Sequence, residues 1–323
     1  MKITVLAGGE SSEREVSIRS GTAVAHALIK LGHSVAFIDP VKEATVFYCS
    51  DEASLNSAIA KTNAKEAGIC PLHDTVIKAL RSCDLVFSAL HGGIGENGRL
   101  SAMLECLNIP FVGSGSVASA LAMDKVLCKR IYEASGILTP ISTVYKKGQR
   151  RPAVPPKYPC IVKPASGGSS VGASAVHMPS ALSEAVSLAL KECDTVLIEE
   201  LICGRELSVS VLNDRPLAVT EIVPKSAFFD YESKYSKNGA REITPAPLSS
   251  ELYKKALNIA ICAHKSLGLN NFSRTDIIIE RDTEKLYAIE TNAIPGLTEE
   301  SILPKAAASL GISFTELIKR MLR

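Results

Sequence analysis

Residues 163–172 read KPASGGSSVG, a lysine and a proline followed by residues with almost no side-chain bulk, directly after the apolar run Cys160-Ile161-Val162. Such a stretch is either a flexible linker or a loop whose backbone N–H groups close over an anion. A linker fits poorly, because strands are expected on both sides and need a short connection to pair. Glycines let the backbone approach a ligand closely, and successive N–H groups form an anion-binding concavity. Glycine-rich hairpin tips are common in their own right; Lys163 strengthens the anion reading, since a lysine just before the loop can reach a phosphate as a point charge. The Walker pattern G-x-x-x-x-G-K-[ST] is absent, and the loop itself does not carry G-x-G-x-x-G.

A second constellation lies in RTDIIIERDTEKLYAIETN, residues 274–292. Asp276 leads one expected strand, Glu290 ends the next, and Asn292 follows two residues on. A turn at Arg281–Glu284 makes the pair a hairpin and brings Asp276 and Glu290 together at one end. Two carboxylates and an amide oxygen are hard ligands suited to Mg²⁺, which usually takes water and phosphate oxygens as its remaining ligands. The plain alternative is an exposed hairpin end with solvated acids. A phosphate loop in the same part of the chain favours the metal.

The elements that must hold these groups can be traced along the chain. Ile3 to Leu6 reads as a strand ending at Gly8-Gly9. From Glu15 to Leu31 apolar residues recur at helical spacing, and Gly32 closes the helix. Strands follow at Ser34–Ile38 and at 84–90 (DLVFSAL), the latter running into His91-Gly92-Gly93. Such alternation predicts a parallel sheet with helices on its faces, and GGESSERE and HGGIGENG both fall where ligands bind such sheets. One helix is expected from a Ser116 cap to Gly136. Beyond a proline-bearing stretch, strands come in pairs: Cys160–Val162 with Ala173–His177, Thr195–Leu201, Glu206–Leu212 with Leu217–Val223, and Asp276–Glu280 with Lys285–Glu290. Helices are expected near 180–192 and at 251–267. Paired strands predict antiparallel sheets.

Composition bounds the function class. The chain has 323 residues, 46% hydrophobic and 22% charged, with a net charge of +2. That length suggests two or three domains. The charge gives no general argument for nucleic acid or membrane binding, and no run of about 18 apolar residues exists to span a bilayer. The N-terminus MKITVLAGGE lacks the features of a signal peptide. The nine cysteines are scattered and form no C-x-x-C pair, and several (Cys49, Cys83, Cys128 and Cys160) sit among apolar neighbours, so a reducing cytoplasm is expected.

With these residues in view, the chain resembles the D-alanine–D-alanine ligases, members of the ATP-grasp enzymes. The matching segments are GGESSEREVSIRSG, HGGIGENG, GSGSVASALAMDK, IVKPASGGSSVG, EELICGRELSV, FFDYESKY, RTD and ETNAIPGLTEESILPKAA. The resemblance implies an N-terminal Rossmann-like parallel-sheet domain (1–114). A two-part ATP-grasp fold follows, with a central (115–200) and a C-terminal (201–323) domain and ATP between two antiparallel sheets. It implies two Mg²⁺ ions, with Mn²⁺ able to substitute, D-alanine and ATP as small-molecule partners, no nucleic acid or membrane partner, and a homodimer.

By position, the resemblance places Lys125 and Lys163 on the ATP phosphates and Ser170 in the loop covering them. Glu199, Glu200 and Ile202 fall where the adenine is read, and Glu206 where the ribose is held. Asp276, Glu290 and Asn292 match the metal ligands, with Glu290 bridging. Glu13 matches the residue that holds the ammonium of the first D-alanine, with His91 near it. Ser169, Tyr235 and Glu13 match a hydrogen-bonded triad that ties down the mobile loop, and Lys234 precedes that tyrosine. Arg274 and the Gly296 backbone match the groups facing the developing oxyanion. Ser301 and Ile302 fall at the second substrate's carboxylate.

The chain departs from the family pattern at Gly167, where a glutamate is usual, at Ala293 and Ile294 within ETNAIPG, at Glu300, where a histidine is common, and in GENG for G-E-D-G. None of these removes a metal ligand or a phosphate lysine. Glu300 and Ile294 flank the second-substrate pocket, so the alternatives are ligation of D-alanine to D-serine or D-lactate. An inactive nucleotide-binding homologue is the alternative of another class; intact Arg274, Asp276, Glu290 and Asn292 argue against it, and Tyr235 favours an amine nucleophile.

Overall fold

The strand that begins at the N-terminus stops at two glycines, and a helix follows, as the spacing predicts. The computed structural model describes residues 1–40, 46–62, 74–151, 153–224 and 240–323. Its first part runs β1 (Lys2–Leu6), α1 (Arg14–Lys30), β2 (Ser34–Ile38), β3 (Val46–Cys49), α2 (Glu52–Thr62) and α3 (Asp74–Arg81). Then come β4 (Leu85–Ser88), the single turn α4 (Gly93–Glu96), α5 (Arg99–Cys106) and β5 (Phe111–Val112). The strands order as β3-β2-β1-β4-β5. All neighbours are parallel except β3, which joins the edge antiparallel. Val5, Phe37 and Phe87 are wholly buried on this sheet. Because β1 and β4 are parallel neighbours, the loops at their carboxyl ends, GGESSERE and HGGIGENG, emerge side by side.

The single helix expected from Ser116 to Gly136 is two: α6 (Ser116–Met123) and α7 (Lys125–Ala134). Gly115, not Ser116, stands at the first cap; it has no side chain to give, and the Glu105 carboxylate accepts the Ser116 N–H at 2.8 Å. Asp124 makes the break. Its backbone is extended (φ −84°, ψ 102°), and its carboxylate accepts the N–H groups of Val126 and Leu127, donors that a helix start leaves without partners. The break turns Lys125 toward the loop after Cys160–Val162, with its backbone N–H donated to the Ala165 carbonyl at 2.8 Å.

Both remaining sheets are antiparallel, as the paired strands predict. The central one contains β6 (Ser142–Lys146), β7 (Cys160–Pro164), β8 (Ser174–Val176) and β9 (Thr195–Glu200), ordered β6-β9-β7-β8, with α8 (Leu182–Glu192) against it. The third contains β10 (Gly204–Leu212), β11 (Arg215–Pro224), β12 (Ala240–Ile243), β13 (Phe272–Glu280) and β14 (Leu286–Asn292), ordered β12-β11-β10-β13-β14. Helix α9 (Ser250–Ser266) covers that sheet, and α10 (Ile302–Ala308) and α11 (Phe314–Met321) end the chain. Apolar residues of α6 and α7 share a core with α9 and β14. Ser208, Asp276 and Glu290 are partners across β10, β13 and β14, and Arg274 pairs with Asn292. The register slips at Asp276/Ile277. A bulge of this kind re-aims the side chains beside it.

Gly98 shows how tightly the HGGIGENG loop is seated. Its φ is +83°, and an added Cβ would lie 2.2 Å from the Ser116 carbonyl oxygen, an immovable backbone atom. We expect Gly98→Ala to lower unfolding free energy by about 2–4 kcal/mol, combining left-handed strain with a displaced α5–α6 contact. Urea denaturation checks this; a loss below about 0.5 kcal/mol, the range of neutral surface changes, would contradict it.

Candidate active site

Two clefts, of about 400 and 300 Å³, meet where the three sheets converge. The larger is lined by the Gly167–Val171 loop, β7, and the chain from Glu199 to Ile202, where β9 ends. The smaller is lined by Glu13, His91, Glu96, Arg274 and the chain from Asn292 to Leu303. Lys125, Gly167, Gly168, Ser169, Glu206, Asp276 and Glu290 line both. The two clefts therefore adjoin across three carboxylates, Glu206, Asp276 and Glu290, and one lysine.

In the larger cleft, Lys163 forms an ion pair with Glu199, which is also 3.0 Å from Lys129 Nζ; Lys129 in turn donates to Thr139 Oγ1 at 2.8 Å. All three charged groups are buried. Burial opposes the charge on Lys163, but Glu199, with Glu290 beyond it, outweighs burial and raises its pKa above the ordinary lysine value. Burial likewise opposes ionised Glu199, and the two lysines hold its pKa below the ordinary value. Lys129 is pulled below its ordinary value by burial, which Glu199 offsets only in part. One carboxylate between two ammonium groups leaves one net positive charge, which suits a polyphosphate. The Glu200 carboxylate is held by Lys157 at 2.6 Å and by the Ile141 N–H at 3.1 Å. Ile202 is buried, and Ser170 sits in the loop with φ +58°.

Lys125 donates to the Gly167 carbonyl at 2.7 Å and lies 3.4 Å from Glu290 Oε2. The loop therefore leans on the lysine at the junction of the clefts. It also reaches the N-terminal sheet, because Ser169 Oγ donates to the Glu13 carboxylate. Gly168 permits this approach: a Cβ there would stand 2.8 Å from Glu13 Oε2. Tyr235 and Lys234 lie outside the described residues.

Arg274 grips Asp276 through two hydrogen bonds, at 3.0 and 2.8 Å, and Ser208 Oγ donates to Asp276 Oδ1 at 2.7 Å. Asp276 and Glu290 are cross-strand partners, with Asn292 two pairs further along and so on the same face. Among the described residues, no group of three or more His, Cys, Asp or Glu side chains is gathered for a metal. Two carboxylates and an amide oxygen, opening on a cleft that would supply phosphate oxygens, nevertheless fit the incomplete protein ligand set that Mg²⁺ takes. Gly296 packs against Ser301, and a Cβ on it would lie 2.7 Å from Ser301 Oγ. Ser301 and Ile302 line the smaller cleft at the start of α10. Glu300 is exposed and pairs with Lys305, which also binds Glu242.

Residues 2–114 match the family model described as the D-ala D-ala ligase N-terminus, and residues 146–323 match that of the D-ala D-ala ligase C-terminus. A D-alanine–D-alanine ligase of Syntrophotalea carbinolica is 39% identical, across 99% of this chain and 95% of its own. The chain belongs to the D-alanine–D-alanine ligase family. Another relative, the D-alanine–D-alanine ligase of Gloeobacter violaceus, is 37% identical over 100% of this chain and 98% of its own. Among solved structures, a D-alanine–D-alanine ligase from Bacillus anthracis complexed with ATP superposes with a TM-score of 0.80 at 26% identity, covering 100% of this chain and 96% of that one. The VanG D-Ala:D-Ser ligase from Enterococcus faecalis gives 0.82 at 29%, over 99% and 98%. These structures share the ATP-grasp architecture of this ligase-family chain: one sheet with parallel strands and two antiparallel sheets.

Three residues of this ligase-family site escape motif reading. Lys129 stands one helical turn beyond Lys125 on α7 and looks like an ordinary helix lysine. Ser20 lies on α1 within GGESSEREVSIRSG, where nothing marks its side chain. Glu96 belongs to GENG, but nothing in that motif marks its side chain. In the structure Glu96 is half-buried, accepts the Gly92 N–H at 2.8 Å, and has its pKa raised from 4.5 to about 8, first by burial and then by the Glu13 charge. Between those two pH values the folded protein binds a proton that the unfolded chain has lost, so stability falls as pH rises through the window. Glu96→Gln is expected to remove this slope: relative to wild type, the variant gains stability from about pH 4.5 to about pH 8 and no more above it. Urea unfolding at a series of pH values reads this directly, and parallel curves would contradict it.

Proposed function

We infer that this chain ligates two D-alanine molecules into D-alanyl-D-alanine with cleavage of ATP to ADP and phosphate, through an acyl phosphate. The reading is carried by one observation: a lysine-lined cleft and an acid- and arginine-lined cleft meet at Lys125, Asp276 and Glu290. A carboxylate is a poor acyl donor, and phosphorylation makes it a good one. The larger cleft takes ATP, with adenine along Glu199–Ile202, ribose at Glu206 and phosphates toward Lys163, Lys125 and the Ser170 loop. Glu13 anchors the first D-alanine's ammonium, so its carboxylate faces the γ-phosphate. Asp276, Glu290 and Asn292 would hold Mg²⁺, which when bound would offset charge on the transferring phosphoryl group.

The second D-alanine, its carboxylate at Ser301 and Ile302, attacks the acyl phosphate with its amine. Arg274 and the Gly296 N–H face the oxyanion that then forms. Ser169 bound to Glu13 keeps the loop down, which excludes the water that would otherwise hydrolyse the acyl phosphate; Tyr235 and Lys234 are proposed to complete that closure. The three-domain division at 114 and 200 and a homodimer belong to this reading. So does a cytoplasmic role in supplying peptidoglycan precursors, with no nucleic acid or membrane partner. Among the described residues no helix is long and apolar enough to cross a membrane.

Product analysis tests the reaction. ATP with D-alanine should yield D-alanyl-D-alanine and ADP in equal amounts, with little mixed product when D-serine or D-lactate is added, and none from L-alanine. Nucleotide binding without dipeptide would contradict it.

A further inference from the structure

His91 lies at the smaller cleft, yet both its ring nitrogens are taken by the protein. Nδ1 is 3.0 Å from the Ile294 carbonyl oxygen, and Nε2 is 3.0 Å from Ser20 Oγ. Ser20 Oγ in turn accepts the backbone N–H of Leu297 at 3.2 Å. A carbonyl only accepts, so the proton sits on Nδ1; Nε2 then accepts from the Ser20 hydroxyl, whose oxygen receives the Leu297 N–H. Every proton in the chain has one place. Ser20 and Leu297 are wholly buried, and His91 is 4% exposed. Burial, with Arg274 acting in the same sense, outweighs Glu13 and keeps the imidazole pKa below its ordinary value, which agrees with this neutral tautomer.

The two contacts grip the chain at Ile294 and Leu297, on either side of Pro295-Gly296. Gly296 is the residue whose amide faces the oxyanion in the ligase reading, on which this inference rests. We propose that Ser20, on helix α1, and His91, in the loop that follows strand β4, are positioning residues that hold the 294–297 loop and so aim the Gly296 N–H. The reason for a distant clamp is physical. A turn containing proline and glycine has no ladder to fix it, and an oxyanion donor acts only when it is already aimed before charge develops. Ser20 does not line either cleft, so any kinetic effect of altering it passes through its two partners, His91 and the Leu297 amide.

The experiment compares Ser20→Ala, His91→Gln and the double variant, after nucleotide binding has shown that each is folded. Loss of the clamp should lower kcat about tenfold, a partial misplacement of one donor, with KM for ATP and for both D-alanine sites within about twofold. Because the two residues act as one unit, the double variant should also lose about tenfold and not about a hundredfold. If Ser20→Ala does not fold, Ser20→Cys, of similar volume but a weak hydrogen-bonding group, is read the same way. Unchanged kcat in the Ser20 variant would overturn the proposal. So would an His91→Gln effect confined to D-alanine KM and multiplying with that of Ser20, which would make His91 a substrate ligand. Wild-type protein that forms no dipeptide would instead sink the ligase reading itself.

Discussion

Replacing Glu290 by glutamine should lower kcat by about 10²- to 10³-fold while leaving the fold intact, the size expected when a principal electrostatic group of a phosphoryl-transfer site is removed. Glu290 stands across the hairpin from Asp276, lies 3.4 Å from Lys125, and lines both clefts. Glutamine keeps its shape and one carbonyl oxygen, so β14 should pair as before. What disappears is one negative charge at the point where phosphate and carboxylate must approach each other. Half-saturation by Mg²⁺ should move to higher concentration, and Lys125 should lose its ion pair with Glu290 while keeping its hydrogen bond to the Gly167 carbonyl. Steady-state rates over an Mg²⁺ titration check both statements; near-normal kcat at saturating Mg²⁺ would remove Glu290 from the metal-binding set.

The second large effect concerns Glu13. Its carboxylate accepts a hydrogen bond from Ser169, and it faces both Gly92 and Gly168 at close range. It therefore stands at the contact between the substrate cleft and the loop that closes it. Fixing the ammonium of the first substrate here, with its carboxylate toward the γ-phosphate, leaves one direction for the methyl group and admits one enantiomer. Glu13→Ala should raise KM for the first D-alanine by about ten- to a hundredfold, the worth of one charge-assisted hydrogen bond of about 1.5–3 kcal/mol. ATP affinity should change much less, because the nucleotide cleft is lined by the other two sheets. Titrating D-alanine and ATP separately distinguishes this from a charge that merely starts α1: that role predicts a small loss of stability and an unaltered D-alanine response.

Local patterns carried the sheets and much of the site into view. The hairpin that pairs Asp276 with Glu290 follows from two apolar runs around Arg281–Glu284, and alternation of strand and helix is enough to predict a sheet with the β1 and β4 loops at one edge. The helix break at Asp124 was not legible, because an aspartate between alanine-rich and lysine-rich stretches also fits a continuous helix; only the cap geometry and the Ala165 contact decide it. Lys129 was hidden for another reason. Its partner Glu199 is 70 residues away, and a lysine on a helix is normally solvated. Ser20 meets Leu297 across 277 residues, a contact no local pattern encodes. Position in the family places His91 near the substrate, while its ring nitrogens are both engaged by protein groups.

Oxygen transfer tests the central claim most directly. D-alanine labelled with ¹⁸O in its carboxylate is incubated with ATP, Mg²⁺ and the protein, and the released phosphate is analysed together with the dipeptide. Activation as an acyl phosphate predicts one ¹⁸O in the phosphate for each D-alanyl-D-alanine formed, since the C–O bond broken by the attacking amine leaves that oxygen on phosphorus. Dipeptide formed with unlabelled phosphate, or labelled phosphate with no dipeptide, would contradict the account.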